Sequence, residues 1–363
     1  MIQVGVLIRN EDIPKKNNDF NESANSLLIH MAASYGIDLF LFSPADINLI
    51  KNTINGLFIE NGKSLRREVP IPLIIDNKTY APRTDKSMEK LFSSLKKKTN
   101  FTREPIYFTK LGQYKRISEF YKSKGFSELA IPTLKTDINS DFIKLFDILG
   151  DDIILKPENS SRGRGVFGIK RQNNSFCVIN DNNLSKIMSS NEFNKYYNEI
   201  TSSTKYIAQK RIYSYTASGR PFDIRILIQR KDLNSHAFVL YPRIGGGDIL
   251  SNLATGGNTM PIDLFLEENF KEMAFKIKES LIEIAKNFPV YYQNFLKHPF
   301  FDLGLDIGIE VNNNSFKLWL FEVNFAPQFA FKNNLASLHM EIARATLECY
   351  INIYNELIKK NKL

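Results

Sequence analysis

The sequence has 363 residues, 43% of them hydrophobic and 24% charged, which is typical of a globular protein and excludes a disordered chain, a collagen-like repeat or a small disulfide scaffold. At about 100–200 residues per domain, this length favours two or three domains. The formal net charge of +9 is spread along the chain without a zinc-finger, basic-zipper or RNA-recognition pattern, so we expect no nucleic-acid partner.

Cys177 and Cys349 are the two cysteines of the chain, which is too few for a four-cysteine zinc site and is typical of a reducing compartment. Residues 1–14 read MIQVGVLIRNEDIP and lack the basic, apolar and small-residue order of a secretory leader. No apolar run reaches the roughly 18 residues that a membrane-spanning helix requires. We therefore expect a cytoplasmic protein without membrane attachment.

The opening 105 residues (1–105) predict an N-terminal α/β domain. Two short apolar runs suit buried parallel strands, and the segment between them has helical spacing that ends at Gly36, a residue type common at helix C-termini. A third apolar stretch follows before the Asn61-Gly62 turn signal. In chain order, these segments are residues 4–8, 22–35, 37–42 and 54–59.

Prolines interrupt the remainder of this domain at positions 70, 72 and 82. Because proline has no N–H to donate within a sheet, we expect irregular structure there, with one short edge strand near Leu73–Ile75.

The rest of the chain predicts two α+β domains, a central one over residues 106–213 and a C-terminal one over residues 214–363. Helical spacing occurs at residues 85–98, 110–124, 183–199, 267–287 and 335–358. Strand patterns occur at residues 152–156, 166–170, 206–209, 222–229, 304–310 and 317–323. The sequence therefore predicts an α/β and α+β multidomain protein.

Residues 160–168 read SSRGRGVFG and formally satisfy the GxGxxG pattern. A dinucleotide-binding fingerprint requires a helix after its glycines, whereas strand-like residues follow here, so we interpret the segment as the tip of a β-hairpin. Such a tip can place backbone N–H groups and arginines on phosphate oxygens, and a lysine on the preceding strand adds a cation. A plain mobile hairpin is the alternative. The candidate phosphate-binding residues are Lys156, Ser160, Ser161, Arg162, Gly163, Arg164 and Gly165.

Two carboxylates and an amide are predicted to face one another near the C-terminus. Glu322 and Asn324 lie two positions apart, so a strand directs both side chains to one face. Asp306 lies on the preceding strand, and if the connecting hairpin is centred on Asn314, Asp306 faces Glu322 with Cβ atoms about 4.5–5.5 Å apart. Carboxylates that close repel each other, and a divalent cation such as Mg²⁺ would remove the conflict. A tighter, two-residue turn would set the opposite parity and leave the pair solvated.

Two arginines are candidates for binding an anion. Residues 222–229 alternate in the manner of a half-buried strand, and Arg225 projects from it, which is costly unless the guanidinium meets an anion. Arg243 ends the next strand and precedes a glycine-rich loop that includes Asn252 and that can approach a ligand closely. An internal salt bridge would explain one arginine, but two arginines beside such a loop favour bidentate binding of phosphate or carboxylate.

These elements follow the order found in the ATP-grasp superfamily, which the sequence resembles over nearly its whole length. ILKP at 154–157 with the glycine-rich hairpin resembles the lysine strand and phosphate-covering loop of that family, and YIAQKRI at 206–212 is similar to its hinge strand. FDIR at 222–225, together with Arg243 and Asn252, looks like its catalytic arginine segment. The chain is most similar to YheC/YheD-type proteins, described as associated with the endospore coat, through its segments GVLIRN, RPFDIR and FEVN.

The resemblance implies an ATP-grasp architecture, in which a pre-ATP-grasp domain precedes a central hairpin lid and a C-terminal domain with an antiparallel sheet. ATP would lie between the last two domains. The residues implied to contact its phosphates and base are Lys110, Lys156, the hairpin residues named above, Gln209, Lys210, Arg211 and Ile212. The implied Mg²⁺ ligands are Asp306, Glu322 and Asn324, and the implied catalytic residues are Arg225, Arg243 and Asn252.

The implied activity is ADP-forming ligation of a carboxylate to an amine through an acyl phosphate, with small-molecule or peptide substrates that the residues do not identify. Two alternatives stay open, a kinase-like transfer in the same site and a non-catalytic nucleotide-binding protein of the spore. Lys210 stands where the family commonly has a hinge glutamate, so side-chain selection of adenine is not implied. The apolar positions of the last helix suit either the core or a second copy of the chain.

Overall fold

A computed structural model of the chain shows three β-sheets with helices packed against them. It describes residues 1–14, 24–60, 62–79, 86–103, 110–124, 127–136, 142–158, 164–232, 235–246, 257–296, 300–325, 327 and 336–361. The first sheet falls within residues 2–101, the second within 133–210 and the third within 222–324. In these parts of the chain, no helix is both long and apolar enough to cross a membrane.

The first sheet has the strand order β3-β4-β2-β1-β6-β7, with β5 paired to β4. Strands β2, β1, β6 and β7 run parallel to one another, whereas β4 pairs antiparallel with β2, β3 and β5. The parallel strands confirm the predicted α/β arrangement. Gly36 adopts φ 70° directly after the first helical segment, as a C-terminal cap requires. The bounds are β1 (Ile2–Leu7), α1 (Ala24–Ala32), β2 (Ile37–Phe42), β3 (Ile47–Asn48), β4 (Thr53–Glu60), β5 (Lys63–Pro70), β6 (Ile74–Asn77), α2 (Lys86–Leu95) and β7 (Asn100–Phe101).

A strand forms close to the predicted residues 73–75, but its predicted edge position is wrong, and so is the predicted irregular structure before it. Strand β6 lies between β1 and β7 and is buried along its length, and residues 63–70 form the eight-residue strand β5. The prolines mark boundaries instead of breaking strands, because Pro70 is the last residue of β5 and Pro72 lies between β5 and β6. Among the described strands, β5 pairs only with β4. The N–H that Pro70 lacks is therefore not required by a strand on the other side of β5.

The second sheet is antiparallel throughout, with the order β12-β11-β10-β9-β13-β8. Helices α4 and α5 cover one of its faces, where Leu155, Ala208 and Phe193 lie in one buried cluster. The bounds are α3 (Lys110–Lys124), β8 (Thr133–Lys135), α4 (Phe142–Leu149), β9 (Asp152–Pro157), β10 (Phe167–Gln172), β11 (Ser175–Ile179), β12 (Ser185–Ser189), α5 (Ser190–Ser203) and β13 (Tyr206–Lys210).

The helix predicted at residues 183–199 starts too early, since residues 185–189 form strand β12. The helix begins at Ser190 because Ser189 and Glu192 make a capping box, in which the Glu192 carboxylate accepts from Ser189 N at 2.8 Å. Because the whole segment is polar, its composition does not distinguish the strand from the helix.

The third sheet has the order β15-β14-β16-β17, all antiparallel. Helices α6 and α7 cover one face, and α8 packs on part of the other through Ile342 against Leu227. Strand β14 is therefore buried on both faces and not half-buried as its alternation predicts. The bounds are β14 (Phe222–Arg230), β15 (His236–Ile244), α6 (Ile262–Phe270), α7 (Ala274–Leu296), β16 (Asp302–Asn312), β17 (Ser315–Asn324) and α8 (Ala336–Asn361).

The single helix predicted at residues 267–287 is two helices, α6 and α7. They are separated at Lys271, which has φ 46°, a value that ends regular helix geometry.

A buried ionic cluster joins the first sheet to the third sheet and to α8. Arg103 donates to Asp302 through Nε at 2.9 Å and Nη2 at 2.7 Å, and it also pairs with Asp76. Tyr350 of α8 donates to Asp76 Oδ2 at 2.6 Å. All four side chains are at most 8% exposed, so the contact between the sheets depends on these charges being paired.

His236 gives the fold a testable pH dependence. It stacks on Phe300, and burial together with the charge of Arg230 lowers the pKa of His236 from 6.5 to about 4. Between these values the unfolded chain binds more protons than the folded one, so stability contributed by neutral His236 is lost as the pH falls from 6.5 toward 4. We expect His236→Phe to flatten the pH dependence of the urea midpoint in this range. Equal flattening by His30→Phe, an exposed control, would contradict this assignment.

Candidate functional site

The β16–β17 hairpin places Asp306 opposite Glu322, as the sequence predicts, but its turn and its register differ from the prediction. The turn has two residues, since Asn312 pairs with Ser315, and this register would set Asp306 opposite Phe321. A β-bulge between Asp306 and Ile307 shifts the register by one and restores the pairing with Glu322. The predicted hairpin centre at Asn314 is wrong, whereas the predicted facing of the two carboxylates is confirmed.

Gly308 and Tyr114 accommodate the bulge. A Cβ atom at Gly308 would overlap the Phe321 ring, which lies directly over this position. The Phe321 carbonyl accepts a 2.6 Å hydrogen bond from the Tyr114 hydroxyl on α3. The bulge is thus held by a ring that requires a glycine and by a side chain 207 positions away.

Gly308→Ala is expected to destabilise the protein by about 1–3 kcal/mol, because the added methyl group overpacks the bulge. Chemical denaturation measures this free energy of unfolding. Val311→Ala, at a 39% exposed position of the same strand, is the matched control and should stay close to wild type. A Gly308→Ala protein as stable as this control would show that the bulge tolerates a side chain.

The two predicted catalytic arginines converge on Asp306. Arg225 Nε donates to Asp306 Oδ1 at 2.5 Å, and Arg243 Nη2 lies 2.8 Å from Asp306 Oδ2. Arg243 also makes a bidentate pair with Asp223, with both distances 2.7 Å. Arg225 meets Asp306 because the two residues are directly paired between β14 and β16. A Cβ atom at Gly304 would lie 3.2 Å from Arg225 Nη1, so this glycine leaves room for the guanidinium.

The cluster keeps its charges at neutral pH. Burial raises the pKa of Asp306, but Arg225 and Arg243 outweigh it and the net shift is downward. Burial likewise lowers the pKa of Arg243, and the charges of Asp223 and Asp306 outweigh it and raise the pKa. The site is therefore a buried set of fixed charges, suited to binding ionic groups.

Lys156 approaches this site from the second sheet. It pairs with Ile207 between β9 and β13, and its neighbour Leu155 points into the core beneath α4 and α5. Alternation along the strand directs Lys156 to the opposite face, where its Nζ lies 5.8 Å from the centre of the Phe321 ring. Lys156 thus reaches the residue next to Glu322 from the second sheet. The junction between the second and third sheets that Lys156, Tyr114 and Phe321 line is the candidate cleft for a ligand.

Tyr114 links the two walls of this cleft, and the sequence analysis missed it. Its hydroxyl, which donates to Phe321 of β17, also lies 3.3 Å from Gln209 Oε1 of β13. Burial, and then the charge of Glu322, raises the pKa of Tyr114, so it stays a donor. In the sequence, its position one helical turn after Lys110 on α3 is the feature that places Tyr114 on the same helix face as this predicted phosphate-binding residue.

The side chains of the predicted hinge are engaged with the protein. Gln209 is buried, and its Nε2 donates to Thr133 at 2.8 Å. Lys210 Nζ lies 5.8 Å from the Trp319 ring centre, and Arg211 donates to Tyr215 at 2.6 Å. Ile212 packs in a buried apolar cluster with Ile131, Trp319 and Phe321. The hinge side chains are therefore committed to partners within the protein, beside a buried apolar cluster.

Several predicted residues lie outside the described residues. These are Ser160, Ser161, Arg162, Gly163 and Asn252, together with the side chain of Lys110. At the described end of the glycine-rich segment, Arg164 is exposed and Gly165 adopts φ 70°. The Gly165 N–H donates at 2.7 Å to Oδ2 of Asp181, which lies between β11 and β12, so this amide is already used within the second sheet.

The predicted metal ligands fit a hard cation. Asp306 and Glu322 face each other, and Asn324 is paired one pleat away with Gly304 on the same side of the sheet. Asn324 Nδ2 donates to Asp306 Oδ2 at 3.1 Å, which leaves its amide oxygen as a ligand atom. Two carboxylates and one amide oxygen form a donor set that Mg²⁺ accepts. Within the described ranges, no group of three His, Cys, Asp or Glu could hold a metal.

Comparisons with known proteins agree with this architecture. The N5-carboxyaminoimidazole synthetase of Staphylococcus aureus has a similar structure, with a TM-score of 0.51, 10% sequence identity, and coverage of 96% of this chain and 77% of that chain. Its complex with ADP gives a TM-score of 0.51 at 11% identity, with the same coverage. D-alanyl-alanine synthetase A of Vibrio cholerae O1 biovar eltor gives 0.49 at 10% identity, with 97% and 98% covered.

At 10–11% identity, the likeness to the S. aureus synthetase shows the fold alone. A search among curated protein sequences found no significant match. The family model of YheC/D-like ATP-grasp proteins matches residues 98–351, more than half of the sequence. The chain therefore belongs to the YheC/D-like ATP-grasp family.

Proposed function

We propose that the protein is an ATP-dependent ligase that joins a carboxylate to an amine through an acyl phosphate. The observation that carries this proposal is the convergence of charges on one cleft. Lys156 reaches in from the second sheet, and Arg225, Arg243, Asp306 and Glu322 lie together on the third. This combination of cations and carboxylates suits a polyphosphate and its metal ion.

ATP would occupy the cleft with its base against the apolar cluster of Ile131, Ile212 and Trp319. Since the hinge side chains and the N–H groups of Lys210 and Arg211 are held by protein partners, a backbone carbonyl group at the hinge would bind the base edge. The S. aureus synthetase, which shares the fold, has been solved in complex with ADP. This supports a nucleotide site in the same architecture.

Lys156 would contact the phosphates, and Arg225 and Arg243 would neutralise the charge of the transferring phosphoryl group. Asp306, Glu322 and Asn324 would hold Mg²⁺, which supplies further charge neutralisation when bound. These roles need no protein nucleophile, because phosphoryl transfer depends mainly on positioning and charge.

In the first step, an oxygen of the substrate carboxylate attacks the γ-phosphorus, and the bond to the bridging oxygen breaks to release ADP. In the second, the amine nitrogen attacks the acyl carbon, phosphate leaves, and the amine loses a proton to solvent or phosphate. Glu322 and Tyr114 flank the cleft where these groups would meet. Small molecules and peptides both remain candidate substrates.

Calorimetric titration with ATP tests the site, with and without Mg²⁺ and with GTP as the competing base. We expect Mg²⁺-dependent binding of ATP that Lys156→Ala abolishes. Lys170→Ala, at an exposed position of the neighbouring strand β10, is the matched control and should bind as wild type does. Absence of nucleotide binding at millimolar concentration would overturn the proposal and favour a structural role.

Hydroxylamine then separates ligation from the kinase-like alternative. An acyl phosphate reacts with hydroxylamine to give a hydroxamate, whereas a phosphoester does not. Hydroxamate formation that depends on ATP and a candidate carboxylate is the expected result. A stable phosphorylated product without hydroxamate would replace the ligase assignment with a kinase one.

A further inference from the structure

Asp306 is held on both carboxylate oxygens by cationic or amide donors, which bears on how a metal ion reaches it. Oδ1 accepts from Arg225 Nε. Oδ2 accepts from Arg243 Nη2 and Asn324 Nδ2 and, at 3.2 Å, from Arg225 Nη2. The residue is only 5% exposed, so its side chain is shielded from bulk solvent. A cation that coordinates Oδ2 must therefore compete with a guanidinium group for the same oxygen.

The contacts of Arg243 would allow it to exchange Asp306 for another anion without leaving Asp223. Its Nε and Nη2 are anchored to Asp223 at 2.7 Å each, and the same Nη2 also contacts Asp306. Because Nη2 carries two hydrogens, one can be redirected to another anion while the other stays on Asp223. Arg225, in contrast, directs both Nε and Nη2 at Asp306.

The formal charges make the cation and an anion depend on each other. Asp223, Asp306 and Glu322 contribute three negative charges, and Arg225 and Arg243 two positive ones. For a bare divalent cation placed here, the two guanidinium groups at short range offset most of the attraction of the three carboxylates. A polyphosphate would neutralise those groups, and its own charge would in turn be neutralised by the cation.

We propose that Arg243 couples the two ligands of the site: in the nucleotide-free protein it holds Asp306, and a phosphate oxygen that takes over its Nη2 N–H releases Asp306 to the metal ion. This inference rests on the proposed function. Because binding linkage is reciprocal, the metal tightens nucleotide binding by the same factor as the nucleotide tightens metal binding.

The test is the affinity of the nucleotide-free protein for Mn²⁺ alone, measured by electron paramagnetic resonance. The variant is Asp223→Asn with Arg243→Gln, which replaces the anchoring ion pair by two amides and leaves no buried charge without a partner. We expect Mn²⁺ to bind about tenfold more tightly than to wild type, since one charge-assisted hydrogen bond no longer competes for Asp306. Adding Asp306→Asn should remove this gain.

Arg171→Gln is the control for a lost arginine charge, since Arg171 pairs with Asp147 and Asp151 at the surface, and it should leave Mn²⁺ affinity unchanged. Misfolding would not raise the affinity for Mn²⁺, so the expected gain cannot be a folding defect. Arg243→Gln alone provides a second variant. Mn²⁺ affinity at or below the wild-type value in both variants would overturn the inference.

A second measurement compares the ATP Kd in EDTA with that in excess Mg²⁺. Metal chelation by ATP in solution is the same for every protein, so the change in this ratio between wild type and variant reports the coupling. We expect the ratio to shrink in the Asp223→Asn, Arg243→Gln protein, and an unchanged ratio contradicts the coupling. If wild type binds no ATP, the proposed function fails, while the Mn²⁺ comparison still decides whether Arg243 restrains Asp306.

Discussion

Glu322→Gln is expected to lower the rate of ATP turnover at least about a hundredfold while the protein stays folded, because a metal ligand loses its charge without changing shape. Glu322 faces Asp306 across β16 and β17, so it is the carboxylate that completes the pair. Turnover is measured as release of ADP, and Mg²⁺-dependent binding of ATP should weaken in parallel.

The matched control is Glu341→Gln, at an exposed position of α8. It should release ADP at the wild-type rate. The thermal unfolding midpoint of both variants should stay near that of wild type, which separates the loss of a ligand from the loss of the fold. Wild-type turnover in Glu322→Gln would contradict the metal assignment.

Arg103→Met is expected to have the largest effect on stability, a loss of about 3–5 kcal/mol, because it leaves two buried carboxylates without their shared cation. Arg103 joins Asp76 of the first sheet to Asp302 at the start of β16. Its guanidinium also lies over the Phe301 ring, 4.5 Å from the ring centre. The methionine keeps most of the packing volume, so the loss reports the unpaired charges. Urea denaturation measures the change.

Arg171→Met provides the control, since Arg171 pairs with Asp147 and Asp151 at the surface and screened surface pairs contribute little. Asp76→Asn with Asp302→Asn should rescue much of the loss caused by Arg103→Met, because the two carboxylates that Arg103 pairs with are then uncharged. Rescue that fails, or an Arg103→Met protein as stable as Arg171→Met, would show that the ionic cluster does not stabilise the contact between the sheets.

Local spacing predicted most elements of the fold. The helix at residues 110–124 has the predicted bounds, and the strands at 37–42 and 206–209 match to within one residue. These predictions rest on residues a few positions apart, whose side chains share a face through the geometry of the backbone itself. The errors at residues 183–199 and 73–75 arose where local composition was ambiguous and where a neighbouring strand decided the outcome.

In the β16–β17 hairpin, Asp306 faces Glu322 as the sequence predicts, although the predicted turn is wrong. The asparagine-rich turn predicts a hairpin, but its length and the bulge that follows depend on where the Phe321 ring can lie. Gly308 accepts that ring and Tyr114 binds its carbonyl group. Neither contact follows from the sequence of the hairpin.

The sequence by itself determined the family, the strand patterns and the residue types of the candidate site, because each depends on short segments such as RPFDIR and FEVN. Only the tertiary structure decided which charges meet. Arg225 and Asp306 are 81 positions apart, and Arg103 and Asp302 are 199 apart. Such pairs form because a charge removed from solvent must be paired within the protein. Which charges are buried together is set by the packing of sheets and helices distant in the chain.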